Sequence, residues 1–281
     1  CPDHPGRLSL YFLSMSPIQN LRDTQAERDS RNISIDRVGV KGVRYPIVIK
    51  DKENRTQSTV ATLSLAVDLP QEFKGTHMSR FLEVLHNRGP QMDVHSAVSL
   101  PKELLTRLSA SRSHVEMCFP FFKSKNAPVT GIPGLMDYEV CFEMEAVRDR
   151  LIDFILTVRV PVTTLCPCSK AMSERGAHNQ RGIVTYSVRF ASQPIWIEDL
   201  IELVESCASC GVFSILKRPD EKWVTDHAYE NPVFVEDLVR NVAMKTEQHS
   251  AFSWYRVEAE NFESIHNHQA YAVIERVLEK K

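Results

Sequence analysis

"ISIDRVGVKGVRYPIVIK" runs from Ile33 to Lys50, and after the polar "DKENRTQS" the same β-branched character resumes in "TVATLSLAVDL", residues 59–69. Alternating apolar and polar side chains are what a strand with one buried face requires, so the two stretches read as a strand pair. Next, "GTHMSRFLEVLHNRG" sets Met78, Phe81, Leu82 and Leu85 at helical spacing, with Thr76 placed to cap the start and Gly89 to end it. Pro101 opens a second helical stretch, "PKELLTRLSA". Two further strands, "HVEMCFPFF" and "YEVCFEMEAV", flank the loop "KSKNAPVTGIPGLMD".

The second half of the chain runs through the same order. "IDFILTVRVPVTTL" and "RGIVTYSVRF" read as strands, "IWIEDLIELVESCAS" and "PVFVEDLVRNVAMKTE" as helices, and "AFSWYRVEAENFES" as another strand. The pattern is β-β-α-α-β-β twice over, a structural repeat without sequence identity between its halves. Local hairpins with helices on one face predict an antiparallel α+β architecture. The expected division is a weakly ordered leader at 1–31, a first module at 32–148 and a second at 149–281.

With 281 residues, 43% hydrophobic and 25% charged, the chain can bury a large core. A formal net charge of −2 argues against nucleic acid or an anionic membrane surface as partner, since those select basic surfaces, and favours a small-molecule substrate. No apolar run approaches the roughly 18 residues of a membrane-spanning helix. "RLSLYFLSM" resembles a signal-peptide core but lacks a small-residue cleavage site after it. Seven cysteines spread along the chain are unlike the dense pairing of small secreted domains, and point to a reducing cytoplasm. Cys118 and Cys141 fall in apolar strand-like runs, which predicts buried, inert thiols.

"TTLCPCSKAMSERGAHNQRG", residues 163–182, carries the densest metal-ligating chemistry. Cys166-Pro167-Cys168 ends a predicted strand and His178 lies in the loop before the next. Thiolate and imidazole suit zinc and similar ions, and a three-ligand set leaves room for water. On spacing alone, half-buried structural thiols and a surface histidine fit equally well. Cys207 and Cys210 could join Cys166 and Cys168 in a four-cysteine zinc site, but Cys207 continues the apolar face of Leu200, Leu203 and Val204, which favours packing at a helix end.

The charged run "SILKRPDEKWVTDHAYENPVF" reads as a loop in which Lys217, Arg218 and Lys222 could meet phosphates, while Asp220 and Glu221 could bind metal or accept protons; a solvated loop is the plain alternative. Asn231-Pro232 has the form of a helix cap, and Glu236 follows beside apolar Val235, Leu238 and Val239, where a carboxylate needs a partner. "AENFESIHNHQAYAV" brings Glu263, His266 and His268 together. In a helix, Glu263 and His266 would share a face and could move protons as a pair, with His268 pointing elsewhere; two surface histidines near a C-terminal helix is the competing reading.

Taken together, "LCPCSK", "GAHNQRG", "LKRPDEK", "YENPVFVEDLVR" and "NFESIHNHQAYA", preceded by "RVGVKGVRYPI" and "GTHMSRF", closely resemble the type IB GTP cyclohydrolases from about Asp23 to Leu278. The resemblance implies the tunnelling fold and a homotetramer with active sites at subunit interfaces. It also implies conversion of GTP to 7,8-dihydroneopterin triphosphate and formate, the first step toward pterins and folate. Carried over, the family pattern makes Cys166, His178 and Glu221 the ligands of one divalent metal (Mn²⁺, Fe²⁺ or Zn²⁺), with no organic cofactor. Glu236 would grip guanine, and Cys168, Glu263 and His266 would assist catalysis. Arg181, Lys217 and Arg218 are the candidates for the triphosphate. Two rival readings are another tunnelling-fold purine or pterin enzyme and a non-catalytic protein stapled by zinc.

Overall fold

A computed structural model describes residues 23–278 apart from 26, 54, 149, 192 and 193. The first hairpin joins β1 (Ile35–Lys50) to β2 (Thr56–Leu69), with Lys50 opposite Thr56. Then come α1 (Ser79–Arg88), the short β3 (Gln91–Met92), α2 (Leu100–Leu108), β4 (Arg112–Asn126) and β5 (Pro133–Val147). The second half contains β6 (Arg150–Leu165), α3 (Pro167–Met172), β7 (Asn179–Phe190), α4 (Ile197–Glu205), the short β8 (Cys210–Gly211) and α5 (Arg218–Glu230). It closes with α6 (Val235–Glu247), β9 (Phe252–Asn261) and β10 (Ala270–Val277).

All ten strands join one sheet in the order β10-β9-β7-β6-β5-β4-β2-β1-β3, with β8 beside β6. Among the described strands only β3 runs parallel to its neighbour. Setting aside β3 and β8, each half contributes four consecutive antiparallel strands, and the hairpin pairing Val147 with Arg150 joins the halves. This is the doubled β-β-α-α-β-β pattern, with α3 and α5 added to the second half.

β5 shows how the sequence sets the layers. Met136, Tyr138, Val140, Phe142, Met144 and Ala146 are buried, while the residues between them are exposed or half-buried. Each strand's apolar set thus takes one face, where α2 packs on β4 and β5, α4 on β6 and β7, and α6 on β9 and β10. The helices meet this face with their own apolar stripes: Phe81, Val84 and Leu85 from α1, Leu104 and Leu105 from α2, Leu238, Val239 and Val242 from α6. Each fully buried Leu or Phe contributes about 2 kcal/mol. Tyr186, buried in this layer, shares a 2.7 Å hydrogen bond with the hydroxyl of Thr246, and burial raises its pKa well above the usual value.

Several local expectations change. Gly89 does close α1, with φ +81, but Met78 rather than Thr76 occupies the N-cap, and Leu82 faces solvent. Cys118 and Cys141 are not free buried thiols. They oppose each other across β4 and β5 and form a disulfide on the sheet face away from the helices, because Met117, Phe119, Val140 and Phe142 take the buried positions between them. Residues 1–22 of the expected leader lie outside the described residues. Gln25, Glu27 and Asp29 lie along residues 72–75 through backbone hydrogen bonds from Asp29 to Glu72, Lys74 to Glu27 and Gly75 to Gln25.

The charged run after Leu216 is a helix, α5, rather than a loop, because Pro219 sits in its first turn and Asp220 closes a capping box with Lys217. Asn231 ends that helix instead of starting the next, and Phe234 is the N-cap of α6. The segment after Ser264 is not helical either. It bends and enters β10, whose Ala270 pairs with Asn261.

Candidate active site

The buried face of the second half changes character at one end. Along β6 the inward residues Val158, Val160 and Val162 lead to Thr164. Along β9, Val257 and Ala259 lead to Asn261, and on β7 Val184 gives way to Gly182 and Gln180. Cross-strand register sets Thr164 opposite Gln180, Gly182 opposite Asn261 and Asn261 opposite Ala270. Gln180 and Asn261 floor the end of a cavity of about 320 Å³, with Thr164 behind Gln180.

Cys166, His178, Glu236, Glu263, His266 and His268 line that cavity, brought from four separate segments of chain. Cys166 caps the first turn of α3, its sulfur accepting from the N–H of Ser169 at 3.4 Å. The loop is cinched by the N–H of Cys166 donating to the carbonyl of His178 at 3.1 Å and by the N–H of His178 donating to Ser169 Oγ at 3.3 Å. The far wall is the chain entering α6, held by the N–H of Val233 donating to the carbonyl of Leu165 at 3.0 Å. Glu236 stands exposed in the first turn of α6, next to the buried Val235, Leu238 and Val239, and the helix N-terminus there favours a carboxylate.

Sequence reading missed the support behind His178. Gln180 Nε2 donates to Thr164 Oγ1 at 2.8 Å, which turns Gln180 Oε1 toward His178 Nδ1 at 3.0 Å. With Nδ1 carrying the proton, Nε2 keeps its lone pair for a ligand. Ser264 Oγ lies 3.5 Å from the same Nδ1. A signal was present in the sequence: Thr164 and Gln180 are polar residues at positions whose same-face neighbours are apolar.

The His266 and His268 rings stack, with centroids 5.1 Å apart at 20°. The two do not point apart as a helix would have required. Glu263 is half-buried beside them.

Other expected residues stand away from this cavity within the protomer. Cys168 is exposed on α3. Arg181 alternates with Gln180 and Gly182 and so takes the opposite sheet face. Lys217 and Arg218 are exposed where α5 begins, and Glu221 is exposed in its first turn. Asp220 is neither metal ligand nor base: its buried carboxylate accepts from the N–H groups of Val129 (2.9 Å), Thr130 (2.8 Å) and Lys217 (2.9 Å) and from the Thr130 hydroxyl (2.8 Å). Burial works against its ionisation, but these donors prevail and hold the carboxyl at about 2. The other end of α5 is tied down where Lys170 of α3 donates to the Tyr229 carbonyl and lies over its ring. Glu221 is thereby held roughly 12 Å along the helix from the α3 contact, at 1.5 Å per residue. Cys207 and Cys210 are buried, and burial pushes both thiols up, consistent with packing.

Cys166 and His178 fit a divalent metal in donor type and preparation. Among the described residues, however, no group of three or more His, Cys, Asp and Glu stands close enough to hold an ion. No helix among the described residues is long and apolar enough to cross a membrane.

The sheet and its one-sided helices define a tunnelling-fold protein. Similar solved structures are a uricase from Bacillus fastidious, with TM-score 0.52 at 7% identity over 89% of this chain and 94% of that one, and a uricase from Arthrobacter globiformis, with TM-score 0.50 at 8% identity over 88% and 94%. At such identity the likeness concerns the fold alone. The family model for type I GTP cyclohydrolase folE2 matches residues 21–272. "GTP cyclohydrolase FolE2" of Akkermansia muciniphila is 79% identical over 262 residues, 93% of this chain and 99% of the relative. Its namesake in Magnetococcus marinus is 53% identical over 255 residues, 91% and 96%. The chain belongs to the FolE2 family of type I GTP cyclohydrolases.

Proposed function

We propose that this GTP cyclohydrolase converts GTP and water to 7,8-dihydroneopterin triphosphate and formate in the cavity between α3, α6 and the β9–β10 loop. The observation that carries this reading is the convergence of Cys166, His178, Glu236, Glu263 and His266 on one cavity. Glu236 accepts hydrogen bonds from N1–H and the 2-amino group of guanine, a donor pair adenine lacks in that arrangement. His266, with Glu263 beside it, gives a proton to the nitrogen leaving C8 as the imidazole ring opens, and Cys168 is a second candidate for proton movement.

Cys166 and His178 would hold one divalent ion, with Glu221 as third ligand. When bound, such an ion supplies the Lewis acidity that makes water nucleophilic near neutral pH. One thiolate, one imidazole and one carboxylate make a harder set than two thiolates and an imidazole, so Mn²⁺ or Fe²⁺ should serve as well as Zn²⁺. Because Glu221, Lys217, Arg218 and Arg181 stand outside the cavity of their own protomer, a homotetramer with sites shared between copies is the arrangement we favour. In it a neighbouring copy supplies the third ligand and cations for the triphosphate.

The test is GTP turnover by metal-stripped protein resupplied separately with Mn²⁺, Fe²⁺ and Zn²⁺. Dihydroneopterin triphosphate with equimolar formate, lost in Glu236→Ala, is expected. A folded, metal-loaded protein that leaves GTP intact would remove the reading.

A further inference from the structure

Within the polar floor of the cavity one side-chain acceptor has no hydrogen-bond partner among the described residues. Asn261 is 2% exposed, yet its Oδ1 is buried without a partner. Its neighbours differ. Gln180 uses one end of its amide on Thr164 and the other on His178. Asn261 sits at the end of β9, on the face it shares with Val257 and Ala259, and lines the same cavity as Glu236. Its cross-strand partner on β7 is Gly182, which offers no side chain to bond it. A Cβ at Gly182 would come within 2.5 Å of Asn261 Oδ1, so the glycine is the space the amide occupies. On the other side Ala270 is equally unable to pair with it. An apolar residue would suit this position better for folding alone, since a buried acceptor left unpaired is destabilising.

We propose that Asn261 is a specificity residue: its amide oxygen accepts a hydrogen bond from a donor of the bound purine nucleotide, and Gly182 exists to seat it. This rests on the reading of the cavity as the GTP site. Guanine's 2-amino group has two hydrogens, and Glu236, pairing with N1–H and one of them, leaves the second free. The ribose hydroxyls offer the same O–H chemistry. A site whose buried acceptor awaits a substrate donor rejects the analogue that lacks it, because the acceptor then stays unpaired.

Steady-state kinetics of the metal-loaded wild type, Asn261→Leu and Gly182→Ala separate these sources. GTP is the substrate; inosine triphosphate, which lacks the 2-amino group, and 2′,3′-dideoxyguanosine triphosphate, which lacks both hydroxyls and so cannot complete the reaction, are assayed as competitive inhibitors through their Ki. Asn261→Leu is expected to raise KM for GTP roughly 10-fold with kcat little changed, the pattern of lost binding felt equally in ground and transition states. Gly182→Ala should shift KM in the same direction. For the analogue missing the relevant donor, the Ki values of Asn261→Leu and wild type should become equal, while the difference persists for the other. Thermal unfolding of the ligand-free protein supplies the second readout: Asn261→Leu should melt at or above the wild-type temperature.

Wild-type turnover of GTP tests the reading of the site itself. Given that turnover, the inference is overturned by an Asn261→Leu protein that handles GTP like wild type. It is equally overturned by a loss of the same size on GTP and both analogues, or by a lowered melting temperature with unchanged kinetics.

Discussion

In the first half of the chain, residues 51–55 close the β1–β2 hairpin. Asp51 accepts from the N–H groups of Glu53 (3.0 Å) and Arg55 (2.8 Å), and its other oxygen pairs with the Arg55 guanidinium at 3.0 Å. The corresponding corner of the second half, between β6 and β7, is opened by residues 166–178, which carry Cys166, α3 and His178. The opposite hairpins differ in the same sense: residues 127–132 between β4 and β5 contain no histidine, whereas 262–269 between β9 and β10 hold Glu263, His266 and His268. One scaffold is used twice, and the candidate site sits where its connecting loops are long and polar enough to carry chemistry. At the first corner Arg55 pairs with Asp51 and Glu53 within the turn, and Lys52 pairs with Asp199 of α4. The second leaves a thiol and an imidazole facing a cavity, which Glu236 of α6 and Glu263 of the β9–β10 hairpin also line.

The sharpest way to break this contrast is to disable the second corner. Cys166→Ser and His178→Ala should each reduce turnover to background and lower bound metal, measured by formate release and elemental analysis, with the circular dichroism spectrum retained. If a neighbouring copy supplies Glu221, then Glu221→Gln and Cys166→Ser, each inactive alone, should regain part of the activity when unfolded together and reassembled. Mixtures as inactive as the parents would place Glu221 in the same protomer's site. His266→Ala should lower kcat about 10²- to 10⁴-fold, the usual worth of a general acid or base, without lowering the melting temperature.

Support behind the ligands should matter less than the ligands. Gln180→Leu frees Nδ1 of His178 and should weaken metal binding or activity roughly 10- to 100-fold. Smaller effects fall on stability alone. Asp220→Ala should lower the melting temperature by roughly 5 °C by leaving its buried N–H donors unpaired. Since folding lowers the Asp220 pKa to about 2, its contribution is fully present above the unfolded value and is lost as pH falls through about 2. Acid titration of wild type should therefore show a stability loss between about pH 4 and 2 that the variant lacks. Asp51→Ala, at the first corner, should cost about 1 kcal/mol and leave GTP turnover unchanged.

Much of this was legible in the sequence, for identifiable reasons. Strand alternation survives in β5 almost residue by residue, so the doubled hairpin-helix order could be read directly. The pairing of Cys118 with Cys141 could have been read from the same alternation, because both occupy outward positions between apolar inward ones; local hydrophobicity around each cysteine obscured it. Charge density misled at α5, where Pro219 and Asp220 start a helix that composition disguises as a loop. At Ser264 the reverse occurred: three-residue spacing imitated a helix in a bend leading to an edge strand. Cys166, His178, Glu236, Glu263 and His266 were marked by residue type. Thr164, Gln180 and Asn261 were not, because their meaning depends on cross-strand register, which joins residues far apart in the chain.

The most direct test compares the two corners side by side: formate released per GTP by metal-loaded wild type, His178→Ala and Asp51→Ala. Wild type and Asp51→Ala should turn over alike while His178→Ala falls to background. Turnover surviving in folded His178→Ala, or lost in folded Asp51→Ala, would contradict the assignment of the reaction to the second half's cavity.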